Sequence, residues 1–170
     1  MKLEGIRLKN FKAFRAVDIQ DLPRLAVFVG ANGSGKTSLF SVFTFLQDAL
    51  SDNIHVALTK LGGSRGFREV RSRGGEGPIE IELKFRENAD GPLVTYFVAI
   101  DEEDERPFVA REYLQYRRGS KGQPWRFLDF TRGKGQAVVN EPDEVRDESE
   151  LKREDHSLKS ADVLALKGLA

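Results

Sequence analysis

The 170-residue sequence has no cysteine, two histidines, one methionine and one tryptophan. The absence of cysteine excludes a disulfide framework, a thiolate metal centre and a cysteine nucleophile. His55 and His156 are too far apart in the chain to suggest a histidine metal motif. There is also no excess of charge of either sign, because 27 Lys plus Arg balance 27 Asp plus Glu. This excludes a chain-wide electrostatic grip on nucleic acid or anionic lipid and leaves only local patches. No apolar run approaches the roughly 18 residues of a membrane span. The opening Met-Lys-Leu-Glu-Gly-Ile-Arg lacks the apolar core of a signal peptide, so a cytoplasmic setting without membrane contact is expected.

What is present is unevenly spread. Acid gathers at residues 101–105 and 141–155. Glycine clusters at 62–77 together with Lys60, Arg65, Arg68, Arg71 and Arg73, which reads as a long basic loop over 60–73. Those five cations form the one cluster from which DNA phosphate contacts are expected. Alternating apolar and polar residues predict strands at 3–8, 17–19, 79–85, 93–100, 108–116, 125–130 and 137–139. Hairpin signals fall at 90–92 and 119–122. Residues 25–29, Leu-Ala-Val-Phe-Val, are continuously apolar and predict a strand buried on both faces. Leu39, Val42, Phe43, Leu46, Ala49 and Leu50 recur at helical spacing and predict a helix over 36–50. A last helix is expected over 160–169, capped by Ser157 or Ser160.

Gly30-Ala31-Asn32-Gly33-Ser34-Gly35-Lys36-Thr37 matches the P-loop pattern GxxxxGK[ST] at every fixed position, between an apolar run and an amphipathic helix. Glycines let backbone N–H groups turn inward around phosphate oxygens with no Cβ in the way. The helix that follows directs its positive end at the same anion. Lys36 is assigned to the β and γ phosphates of ATP. The Thr37 hydroxyl is assigned to Mg²⁺, and Ser38 completes the cradle.

The segment Leu8-Lys-Asn-Phe-Lys-Ala-Phe14, the short strands after it, and residues 29–38 together resemble the head domain of ABC-type ATPases of the SMC and RecF kind, including the AAA-type ATPases grouped with OLD and RecF-like proteins. Residues 61–70 and 78–83 are similar to the same group. The resemblance implies an α/β fold, a P-loop NTPase lobe with a mixed sheet around the P-loop helix and an antiparallel β meander. It implies Lys12 near the phosphates and Phe14 or Arg15 near the base or ribose. It also implies ATP hydrolysis coupled to closing of a homodimer of heads, in DNA repair, chromosome maintenance or anti-phage defence.

The Walker B strand and Ser-Gly-Gly signature of such heads are not recognisable in the sequence. Residues 93–102 imitate Walker B, with Asp101 and Glu102 as weak catalytic candidates, but the expected meander makes that strand antiparallel. Gln115 and Gln136 are candidates for the family's metal-sensing glutamine. The expected organisation is an ATPase lobe at 1–140, a mobile acidic linker at 141–158, and the start of a helical segment of a truncated or split larger protein at 159–170. Hydrolysis would then need a missing C-terminal lobe. Two alternatives stay open: a non-hydrolysing nucleotide-sensing or interaction module, and an AAA+-like ATPase with Walker B at Asp101 and Glu102.

Overall fold

Period-two alternation turns most of the chain into one sheet. A computed structural model describes residues 1–117, 123–140 and 148–169. Its strands are β1 (Lys2–Phe11), β2 (Phe14–Ile19), β3 (Ile79–Arg86), β4 (Leu93–Glu103), β5 (Arg106–Arg117), β6 (Trp125–Thr131), β7 (Lys134–Val138) and β8 (Arg153–Ser157). They form an eight-stranded sheet in the order β2-β1-β3-β4-β5-β6-β7-β8. The helices α1 (Lys36–Ser51), α2 (Ile54–Gly62) and α3 (Phe67–Val70) sit in the connection between β2 and β3, and α4 (Ala165–Gly168) follows β8.

One transverse row explains how the layers meet. Val17, Leu8, Ile81, Val98, Glu112, Phe130, Gly135 and His156 are register partners across the strands in turn. Leu8, Ile81 and Val98 join Phe11, Val42, Phe45, Ala49, Ile54, Ala57 and Leu58 in the main buried core. The rings of Phe11 and Phe45 meet edge-on at 6.3 Å, which fastens α1 to the end of β1. The Asn53 side chain accepts a hydrogen bond from the N–H of Val56 at 2.9 Å and starts α2.

Glu112 is the one carboxylate in that row, and it is fully buried. It accepts the Tyr96 hydroxyl at 3.0 Å, the Ala165 N–H at 2.5 Å and the Leu166 N–H at 3.1 Å. Burial raises its pKa above the ordinary carboxylate value, opposed by those three hydrogen bonds. Glu112 thereby pins α4 to the sheet. Lys167 extends the link by donating to the carbonyls of Ser51, at 2.7 Å, and Asp52, at the end of α1.

Several expectations are corrected here. The sheet is not mixed, because each strand pairing is antiparallel. Residues 25–29 are not a buried strand: Leu25, Val27 and Val29 are 83%, 77% and 88% exposed, and among the described residues no strand pairs with them. An apolar run is buried on both faces only where a neighbouring layer exists to cover it.

The basic stretch is largely helical, in α2, a 3₁₀ turn (Gly63–Arg65) and α3, because Ile54, Ala57, Leu58, Phe67 and Val70 all enter the core. The acidic segment is not a linker throughout. Residues 153–157 form β8, whose backbone ladder to β7 needs no apolar periodicity, while residues 141–147 lie outside the described residues. The predicted turn at 119–122 also lies outside them. The last helix is confined to α4, because the carbonyls of Ala161 and Asp162 are taken by the N–H groups of Val109 and Ile54.

Two stability measurements check this arrangement. Glu112→Ala leaves one hydroxyl and two N–H groups buried without a partner and is expected to cost about 3–5 kcal/mol. A raised folded pKa means this carboxyl favours the fold most below its unfolded pKa and loses that contribution as pH rises through the folded value. The stability gap between parent and variant should therefore widen on acidification toward the ordinary carboxylate pKa; a gap that narrows would contradict the assignment. Replacing Leu25, Val27 and Val29 together by Ser should cost less than about 1 kcal/mol, as for exposed positions. Loss of about 3 kcal/mol or more in denaturant unfolding would mean the run is covered.

Candidate functional site

The glycine pattern sets the shape of the P-loop. Gly33 and Gly35 have φ of 82° and 93°, in the left-handed region that side chains avoid. Gly35 is the N-cap of α1, and no side chain caps that helix. The first-turn N–H groups of α1 therefore point past Gly35 without a side-chain acceptor, which suits an anion. A Cβ on Gly33 would meet nothing within 4 Å, whereas one on Gly35 would lie 2.8 Å from Cζ of Phe14. The Phe14 ring thus rests directly against the loop.

Lys36 curls back over the loop. Its ammonium donates to the carbonyls of Gly30 and Ala31 at 2.6 and 2.8 Å and to the Ser34 hydroxyl at 3.2 Å. These neutral acceptors leave its charge uncompensated above the same backbone that would cradle phosphate. Thr37 follows in the first turn of α1, where the motif requires the metal-binding hydroxyl. A polyphosphate with its divalent cation fits this donor set of glycine backbone, one ammonium and one hydroxyl.

Beside the loop lies a cleft of about 630 Å³, lined by Lys12, Phe14, Arg15, Ser38, Arg68, Glu69, Arg71, Ser72 and Arg73, with Ala13 and Ala16. Five cations face one acid there, in a chain of zero net charge. Lys12 donates to the Leu61 carbonyl at 3.4 Å, and Arg15 donates to the Arg73 carbonyl at 3.2 Å. Arg71 lies over the Phe67 ring, 5.2 Å from its centroid. Among the described residues no carboxylate pairs with Lys12, Arg15, Arg71 or Arg73. The cleft is therefore a concentrated positive field next to the P-loop.

The sequence clusters divide in the structure. Lys60 is held by Asp48 at 2.7 Å and Asp52 at 3.5 Å, Arg65 stands 4.0 Å from Glu69, and Arg68 binds Glu102 at 3.1 Å and Glu105 at 3.2 Å. Of the expected DNA-contacting five, Arg71 and Arg73 have no carboxylate partner among the described residues, and both line the cleft, as does the paired Arg68. The carboxylates of Asp101 and Glu102 sit at the antiparallel β4–β5 hairpin, with Glu102 engaged by Arg68 and Asp101 accepting the N–H of Glu102 at 2.9 Å. That geometry is not a Walker B strand, which runs parallel to the P-loop strand. Gln115 and Gln136 lie on β5 and β7, and Gln136 donates to Asp155 at 3.0 Å.

The family resemblance points to Lys12 and Phe14 beside the loop, whereas Arg71 and Arg73 are expected from the sequence only as part of a DNA-contacting basic cluster, not as a wall of this cleft. The available signal was the helical spacing of Ile54, Ala57 and Leu58 behind the Asn53 cap, which sets where the chain returns to β1. A second apolar surface flanks the site. Phe28 packs edge-on against Phe40 at 5.9 Å, and Phe40, Phe43 and Leu50 leave an exposed stripe along α1, whose Phe40 and Phe43 line a pocket with Ala26 and Phe28. Among the described residues no cluster of His, Cys, Asp and Glu could hold a metal ion. No helix among them is long and apolar enough to cross a membrane.

Comparison with known proteins gives a consistent family. The chain is 25% identical over 137 residues to the DNA replication and repair protein RecF of Heliobacterium modesticaldum, covering 76% of this chain and 37% of the relative. It is 33% identical over 100 residues to the DNA double-strand break repair Rad50 ATPase of Pyrococcus abyssi, covering 56% of this chain and 10% of the relative. The chain thus spans little more than a third of the length of the RecF protein. A solved SMC ATPase chain aligns with a TM-score of 0.46 at 22% identity, over 71% of this chain and 73% of its own. Residues 25–163 match the family model described as "AAA domain, putative AbiEii toxin, Type IV TA system", so the chain belongs to that AAA family.

Proposed function

We propose that this chain is the Mg-ATP-binding lobe of an ABC-type ATPase acting on DNA, with the nucleotide's phosphates on residues 30–38 and its nucleoside end toward Lys12, Phe14 and Arg15. The observation that carries this reading is the uncapped α1 start with its left-handed glycines beside a cleft whose Lys12, Arg15, Arg71 and Arg73 have no carboxylate partner among the described residues. Magnesium nucleotide supplies a polarised γ phosphate. The chain supplies backbone N–H donors, the Lys36 charge and the Thr37 hydroxyl to orient it.

Hydrolysis also needs an acid that positions water and a group that stabilises charge on the transferring phosphoryl. Glu102 is a poor candidate because Arg68 holds it away on the β4–β5 hairpin. The exposed run 25–29 and the α1 stripe support a complementary lobe whose sheet adds beside residues 25–29 and brings those groups. On this reading the body of the lobe extends past the expected boundary at residue 140 to include β8 and α4, and the intact protein is cytoplasmic and works as a homodimer. The names of the RecF and Rad50 relatives support DNA repair as its setting, while the family description names a toxin of a type IV TA system. The chain alone should bind ATP and turn it over far more slowly than an assembled enzyme.

Calorimetry with Mg-ATP tests the site. Lys36→Ala should lower affinity by more than about tenfold, since the loop loses its only ammonium. A change within about twofold, roughly 0.4 kcal/mol, would refute the assignment. Thr37→Ala should weaken binding in Mg²⁺ more than binding in a metal chelator, because the hydroxyl acts on the metal. Equal losses in both conditions would remove that role.

A further inference from the structure

Asn10 is buried, 5% exposed, and has φ of 56°. Asparagine tolerates that left-handed backbone better than most residues, but tolerance alone does not require a buried amide. The amide has a specific task. Its NH₂ donates to the carbonyl of Glu76 at 2.6 Å and to that of Pro78 at 3.1 Å. The backbone carbonyl of Asn10, not its side chain, accepts the N–H of Ser72 at 3.0 Å. The same segment gains a bond from the Lys12 N–H to the Val70 carbonyl at 2.7 Å and a bridge between Phe11 and Arg71. Gly75 closes the arrangement, because a Cβ there would stand 2.6 Å from Oδ1 of Asn10.

Asn10 therefore grips both limbs of the loop 71–78, the near limb at Ser72 through its backbone carbonyl and the far limb at Glu76 and Pro78 through its side chain, and the Gly75 N–H ties the limbs together by donating to the Ser72 carbonyl at 2.9 Å. That loop carries Arg71 and Arg73, which form one wall of the cleft. The next turn of β1 carries Lys12, and β2 carries Phe14 and Arg15, which form the other. Among the described residues no ion pair fixes the spacing of the two walls, which the Arg15 guanidinium bridges only by its bond to the Arg73 backbone carbonyl, and like charges repel across the cleft. Backbone hydrogen bonds routed through a neutral amide can hold cations together without neutralising them.

We infer that Asn10 is a positioning residue, which sets the distance of Arg71 and Arg73 from Lys12 and Arg15 so that the two walls together receive an anionic nucleotide. This rests on the nucleotide-site reading above. Asn10 touches no ligand itself; its effect on binding passes through Arg71 and Arg73. A residue that merely supports the fold would lower stability and leave that coupling absent.

The test is a double-mutant cycle by calorimetry with Mg-ATP. Asn10→Gly keeps the left-handed backbone and removes the amide; Asn10→Asp keeps its shape and removes its donors. Each should weaken binding about tenfold, the worth of one charge-assisted hydrogen bond. In a chain already carrying Arg71→Ser and Arg73→Ser, Asn10→Gly should cost nothing further. Gly75→Ala attacks the same contact from the loop side and should reproduce the loss. Limited trypsin digestion should cut faster after Arg71 and Arg73 in Asn10→Gly, at an unfolding midpoint near that of the parent. Additive losses in the cycle, parent-like binding by both Asn10 variants, or unchanged cleavage would each overturn the positioning role while leaving the site intact. A parent chain that does not bind Mg-ATP would overturn the nucleotide reading itself, and the role with it.

Discussion

The Phe14 ring resting on Gly35 is the contact from which the site is built. At that glycine a Cβ would be within 2.8 Å of the ring, so the P-loop approaches the β1–β2 hairpin as closely as backbone can. Phe14 belongs to β2 and packs on the main core, which the ends of β1 and α1 share through Phe11 and Phe45. The loop is consequently fixed to a rigid sheet on one side and continues into a packed helix on the other. A flexible glycine segment becomes a shaped one because both ends are anchored in the same core.

Charge follows the same logic. A sequence of zero net charge can still focus a field when its acids are spent elsewhere. Asp48 and Asp52 occupy Lys60, and Glu102 and Glu105 occupy Arg68, while Lys12, Arg15, Arg71 and Arg73 at the cleft beside the P-loop have no carboxylate partner among the described residues. Glu112 acts at the far side of the helical layer, where its buried oxygens hold α4 and, through Lys167, the end of α1. The P-loop helix is thus secured at its start by Phe14 and at its end by Lys167.

Much of this was legible from residue patterns. Alternation in residues 79–85 and 93–100 gave β3 and β4, and GxxxxGKT gave the loop and the start of α1. The antiparallel order of the meander followed from short hairpins, whereas the expectation of a mixed sheet around α1 came from reading residues 25–29 as a strand. Other features were hidden for identifiable reasons. The glycines and arginines of 62–77 masked the short apolar spacing of α2 and α3. β8 reads Arg-Glu-Asp-His-Ser, and an edge strand held by its backbone ladder carries no apolar signature. The run 25–29 has the composition of a covered strand, and its exposure marks a surface that composition alone cannot separate from a core. Glu112 looked like any charged strand residue, because burial of a carboxylate depends on partners more than fifty positions away.

The account holds that one anionic ligand spans the P-loop and the cationic cleft. Amide hydrogen exchange of the chain with and without Mg-ATP tests this most directly. Slowed exchange should appear together at residues 31–38, 12–15 and 70–73, with the β4–β5 hairpin around Asp101 and Glu102 unchanged. Protection confined to the P-loop, or centred on the hairpin acids, would contradict it.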